Sequence, residues 1–188
     1  MATKRIGVLA LQGDYEAHLK AVHAAGGLGF EVRTPEELAT ADGLIIPGGE
    51  STTMGHLMAR FGMDTALKAF GKPIWGTCAG MIVLAQRITA GEKRGGQPLL
   101  GLMDIAVERN AFGRQIDSFE TDIETSFGTV RGVFIRAPFV SEVGEGVEVL
   151  ARYQDRVVLV RQGKLLASAF HPELTDDPTL HRAFIEST

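Results

Sequence analysis

The stretch Ile74-Trp75-Gly76-Thr77-Cys78-Ala79-Gly80 decides the reading of this chain. Three apolar-to-small residues suited to a buried strand run into a cysteine flanked by glycines, and 79–86 then carries helical spacing. A nucleophile at a strand-to-helix turn, with glycine two residues to either side, has the form of a nucleophile elbow with cysteine in place of serine. The glycines permit close backbone approach and leave room for a substrate carbonyl. The helix N-terminus faces the sulfur, which favours thiolate over thiol, and the amide of Ala79 is placed to donate to an oxyanion. A lone intracellular cysteine is more often simply buried packing. The glycines at a strand end tilt the balance towards chemistry.

Outward from the elbow, the N-terminal half alternates strand and helix. Strands are expected at 6–11, 30–33, 43–46 and 74–76. Helices are expected at 14–25, at a short segment opened by Pro35 with Thr34 as its cap, and at 51–61, 64–70 and 79–86. Met54 and Met58 read as core packing. Short links between such units imply a mainly parallel sheet covered on both faces. After a glycine-rich, charged loop at 91–98 the character changes. Segments 102–108, 119–124, 129–135, 147–152, 156–161 and 164–170 are β-rich with hairpin-sized links, Gln162-Gly163 among them, and a helix follows at 178–186. The fold class is therefore α/β, a three-layer domain over 1–188 with an antiparallel extension.

Composition narrows the function. The chain has 188 residues, 19 Lys plus Arg against 23 Asp plus Glu, and a formal net charge of -4. That balance offers no general attraction for nucleic acid or anionic lipid. The single cysteine, Cys78, excludes an intramolecular disulfide. No signal-peptide core or membrane span is legible, so a cytoplasmic location is expected. His18, His23, His56 and His181 lack metal-ligand spacing, and no nucleotide-binding glycine pattern occurs, so neither metal nor cofactor is expected.

A cysteine nucleophile needs a base, and the base an orienting group. His171-Pro172-Glu173, after the apolar run 165–170, supplies both if the chain stays extended, since residues two apart then face one side. Pro47-Gly48-Gly49-Glu50-Ser51-Thr52 lies at the carboxyl end of a strand, where α/β proteins bind ligands. Its glycines expose N–H groups, Glu50 offers charge to an amino group, and Ser51 or Thr52 is suited to cap the next helix.

The segments PGGEST (47–52), GTCAG (76–80) and HPE (171–173) together resemble the class I glutamine amidotransferases, which have a flavodoxin-like fold. IGVLALQG (6–13), ERNAFGRQIDSFE (108–120), FIRAP (134–138) and SAFHPELT (168–175) look like the glutaminase subunits of pyridoxal 5′-phosphate synthases. The resemblance implies hydrolysis of L-glutamine to glutamate and ammonia through Cys78, His171 and Glu173. It implies an oxyanion hole at Gly49 and Ala79, and glutamine contacts at Gly49, Glu50, Ser51, Arg109, Ile135 and Arg136. It further implies delivery of ammonia to a separate synthase subunit, with Gln12-Gly13 as a contact with that partner or an activation element. Phe139 stands where many relatives carry histidine. Two other readings remain at this point: the glutaminase of another amidotransferase, such as imidazole glycerol phosphate synthase, and a non-catalytic regulatory module built around Cys78.

Overall fold

The computed structural model describes residues 2–91, 96–110 and 118–188. Among them the first half is a parallel sheet: β1 (Arg5–Leu9), β2 (Leu28–Val32), β3 (Gly43–Ile46) and β4 (Ile74–Thr77), in the order β2-β1-β3-β4. β3 and β4 are buried at every position, as expected of parallel strands with helices on both faces. Those helices are α1 (Tyr15–Ala24), α2 (Pro35–Ala39), α3 (Ser51–Arg60), α4 (Met63–Ala69) and α5 (Ala79–Leu84). Thr34 caps α2 in a reciprocal capping box with Glu37. Met54 and Met58 are buried in the same core as Trp75 and Ile45.

The strand order reverses between β1 and β3, and such a reversal opens a crevice at the carboxyl ends of the strands. Three loops meet there: the one after β1, the one after β3, and the elbow after β4. Asp14 N–H donates to Gly48 carbonyl across 3.3 Å, tying the first two together.

The antiparallel extension continues the same sheet. β6 (Met103–Glu108), β7 (Ser118–Thr125), β8 (Gly128–Ile135), β10 (Glu148–Tyr153), β11 (Arg156–Gln162) and β12 (Leu165–Ser168) match the β-rich segments expected there. β12 runs parallel to β4 and antiparallel to β11, so it joins the two halves. A 3₁₀ turn (Pro172–Leu174) and α6 (Thr179–Glu186) follow.

Two strands depart from the sequence reading. Helix α5 stops at Leu84, and Ala85 turns extended (ψ 157°) into β5 (Ala85–Ala90), which pairs in parallel with β6. The apolar helical pattern masks this change, but Gln86 to Ala90 has no face to bury as helix and is instead held by β6. β9 (Phe139–Val143) pairs antiparallel with β6 and touches β11 at Val157. Residues 92–95 of the expected loop, and 111–117 of the block 108–120, lie outside the described residues.

Candidate active site

Cys78 sits between β4 and α5 with φ 49° and ψ -102°, a positive-φ conformation uncommon for a side chain larger than glycine. Its N–H donates to Ser168 carbonyl at 2.8 Å, which fixes the elbow against β12. The glycines are required by contact. A Cβ on Gly76 would lie 2.4 Å from the Gly80 carbonyl oxygen, and one on Gly80 would lie 2.2 Å from the Ile46 carbonyl oxygen. The elbow is thus pressed directly onto β3.

His171 follows β12, and its N–H donates to Val133 carbonyl at 2.8 Å. Its Nδ1 lies 2.7 Å from Glu173 Oε1, with both residues buried. The pairing does not arise from an extended chain, as the spacing suggested. His171 caps the 3₁₀ turn, and the turn curls Glu173 back beneath the imidazole. Pro172 suits the first position of that turn, where a missing N–H costs nothing. The ring lies on Gly48, where a Cβ would come within 2.4 Å of His171 Cε1.

Burial works against a charged His171, but hydrogen bonding with Cys78 and with Glu173, and the charges of both, raise its pKa to about 10. Burial likewise raises the Glu173 pKa, yet neighbouring His18 and the His171 hydrogen bond bring it below the ordinary carboxylate range. A folded-state histidine pKa above the unfolded value of 6.5 stabilises the fold fully below pH 6.5, and that contribution is lost as pH rises through about 10. The thermal midpoint is therefore expected to fall between pH 6.5 and 10 more steeply in the parent than in His171→Asn. Parallel curves for the two proteins would contradict this.

The β3 loop supplies the opposite wall. Gly49 has φ 152°, and a Cβ there would meet Gln12 Oε1 at 2.3 Å. Gln12 Oε1 accepts from Glu50 N–H at 2.9 Å. Glu50, rather than Ser51 or Thr52, caps α3: its carboxylate accepts from the N–H groups of Thr52 (3.3 Å) and Thr53 (2.8 Å). The longer acidic side chain reaches both orphan donors and adds charge at the helix N-terminus. Glu50 Oε1 is also 3.5 Å from Arg109 Nη2.

Arg109 is 8% exposed, so its guanidinium must be held on several sides. Gln97 does much of this, and nothing in its sequence context singled it out. Gln97 Oε1 accepts from Arg109 Nη1 (3.2 Å), Ser51 Oγ (2.7 Å) and Thr52 Oγ1 (3.1 Å), while its Nε2 donates to Ser51 carbonyl (3.0 Å). Asn110 (φ 50°) and Arg136 (φ 42°) are two further positive-φ positions on the cavity wall.

A cavity of about 530 Å³ gathers these groups. Gly49, Glu50, Ser51, Cys78, Ala79, Arg109, Ile135, Arg136 and His171 all line it, together with Gln12 and Asn110. Glu173 stands behind His171 and does not line it. Every site residue named from the sequence is thus at the cavity or directly supporting it. Phe139 is absent from its lining; it lies under the Arg156 guanidinium, 5.0 Å from the ring centre. Among the described residues no cluster of three or more His, Cys, Asp or Glu side chains could hold a metal ion. No described helix is long and apolar enough to cross a membrane.

This architecture is that of the class I glutamine amidotransferases: a solved crystal structure of a glutamine amidotransferase matches with a TM-score of 0.91 and 52% identity, covering 96% of this chain and 97% of that one. More narrowly, the chain belongs to the SNO glutamine amidotransferase family, whose model matches residues 8–188. It is 55% identical to the pyridoxal 5′-phosphate synthase subunit PdxT of Parafrankia sp. (strain EAN1pec), covering 99% of this chain and 94% of the relative. It is 52% identical to the PdxT subunit of Niallia circulans, covering 97% and 96%.

Proposed function

We propose that this chain is a glutaminase subunit of a pyridoxal 5′-phosphate synthase, one cytoplasmic domain over 1–188 that hydrolyses L-glutamine and passes ammonia to a synthase subunit. The observation that carries the reading is the convergence of Cys78, the His171–Glu173 pair and the Gly49 loop on one cavity, in a chain 55% identical to a PdxT subunit.

Cys78 Sγ, its proton held on His171, attacks the side-chain amide carbon of glutamine, and the carbonyl electrons move to oxygen. The N–H groups of Gly49 and Ala79 receive that oxyanion. As the tetrahedral species collapses, the C–N bond breaks, and protonated His171 gives its proton to the departing nitrogen. A water then attacks the thioester; His171 takes its proton, and glutamate leaves as the C–S bond breaks. Glu173 keeps the imidazole in the tautomer and orientation both transfers need. Arg109 and Arg136 offer guanidinium groups to the substrate α-carboxylate, and Glu50 an acceptor to the α-ammonium. Ser51 and Ile135 complete the wall.

The test is release of glutamate and ammonia from L-glutamine with and without the synthase subunit. The isolated chain is expected to be slow, and the complex faster by on the order of ten-fold or more. A complex that forms no glutamate would overturn the assignment.

A further inference from the structure

Behind the Cys78–His171–Glu173 line lies a buried polar cluster that the reaction as written does not use. His18 from α1 and His181 from α6 are both wholly buried. His18 Nδ1 is 3.0 Å from His181 Nε2, and His18 Nε2 is 3.0 Å from Thr77 Oγ1 and 3.4 Å from Glu173 Oε2. Trp75 closes the cluster, its ring centre 6.0 Å from that of His18 and 4.9 Å from that of His181. Glu173 Oε2 and His181 Nδ1 are buried with no regular hydrogen-bond partner.

Proton accounting gives this cluster a direction. An orphaned buried N–H is rarer and costlier than a bare acceptor, so His181 Nδ1 is the unprotonated nitrogen. The His181 proton then sits on Nε2 and is donated to His18 Nδ1. His18 must carry its own proton on Nε2, which points it at Thr77 Oγ1 and Glu173 Oε2. Both rings are neutral near pH 7: burial lowers the His18 pKa, and burial with the His18 charge lowers that of His181 to about 3. The charged or titratable groups facing His18 are Glu173 and His171 beyond β12, Asp14 ahead of α1, and His181, which itself feels Asp177. β4 contributes only the uncharged Thr77 and Trp75.

We propose that His18 is a positioning residue of the triad: its Nε2–H, bonded to Thr77 Oγ1, faces the second oxygen of Glu173 across 3.4 Å and steadies the carboxylate electrostatically from behind, while His181 fixes the His18 tautomer, so that Oε1 stays on His171. The catalytic consequence rests on the glutaminase reading; the tautomer does not. His18 is absent from the substrate cavity, so its loss acts on kcat and leaves KM unchanged.

The experiment compares two amides in the complex with the synthase subunit, using L-glutamine. In His18→Gln the side-chain nitrogen reaches the place of Nε2, whereas in His18→Asn it stops near that of Nδ1. His18→Asn is expected to lower kcat about ten-fold, the scale on which a buried carboxylate loses a favourable polar neighbour, with KM unchanged. Without the N–H that faces it, the Glu173 carboxylate becomes easier to protonate, so the acid limb of kcat moves up by about one pH unit. His18→Gln should keep most of the rate and the parent limb. Equal losses in the two variants, or an acid limb unmoved in His18→Asn, would overturn the proposal. Nitrogen NMR of labelled histidine in the parent complex gives a reading independent of variant folding: a neutral His18 protonated at Nε2 is required, and protonation at Nδ1 sinks it. Cys78→Ala in the same assay tests the glutaminase reading alone, since retained turnover there would refute that reading and leave the tautomer result standing.

Discussion

Cys78→Ala should reduce glutamine hydrolysis by at least about 10⁴-fold, the scale on which loss of a nucleophile stops acyl transfer. No second thiol can substitute, because the chain has one cysteine. The residual groups still bind glutamine and still offer oxyanion donors, so KM should change far less than kcat. The fold should persist, since Ala79 and Gly80 keep the elbow packed on β3 and the removed sulfur is partly open to the cavity. The variant carries a second signature. Hydrogen bonding with Cys78 is the largest influence holding the His171 proton, so without it the histidine should titrate well below about 10. Proton NMR of the His171 ring, alongside the glutamate assay, reads both effects in one protein. Measurable turnover with an unchanged His171 titration would remove the thioester mechanism.

The elbow and the layer order were legible because both rest on local chemistry. Glycine at 76 and 80 has no better reason than close backbone contact, and that contact exists. Buried strands such as β3 advertise themselves as short apolar runs between turns. Features that depend on distant partners were hidden. Nothing near Gln97 signals that its amide will collect Ser51, Thr52 and Arg109, because these arrive from α3 and the end of β6. His18 and His181 are 163 positions apart, and on separate helices each looks like an isolated core histidine. β5 was obscured because the α5 pattern runs on into Ala85 without a glycine or proline to mark its end. The His171–Glu173 pairing was expected for a reason that proved wrong: a 3₁₀ turn, not an extended strand, brings the carboxylate to the ring. Glu50 shows a residue at the expected place with an additional task, since the carboxylate facing the cavity also caps α3.

Gly80→Ala should collapse the site although intrinsic propensity favours it. Gly80 lies in α5 outside the positive-φ region, where alanine is better than glycine by about 1 kcal/mol in helix propensity alone. The surroundings reverse that sign. The new Cβ would sit 2.2 Å from the Ile46 carbonyl oxygen, 3.0 Å from its carbon and 3.2 Å from Ile46 Cβ. The first two atoms are backbone of β3, the strand paired with both β1 and β4, so no side-chain rotation relieves the contact. Either α5 lifts from the sheet or β3 moves, and overpacking of this kind costs on the order of 3 kcal/mol. For a chain of this length that corresponds to a fall of roughly 10 °C in the thermal midpoint. Activity should fall further than stability. Cys78 is two residues before the clash, and a shift of about 1 Å at a reacting group can cost a hundred-fold in rate. Gly26→Ala is the control: Gly26 has φ 90°, and a Cβ added there would meet nothing within 4 Å, so the variant isolates the conformational penalty from the contact. If Gly80→Ala melts with the parent and hydrolyses glutamine at its rate, then close packing of the elbow on β3 is not what holds Cys78 in place.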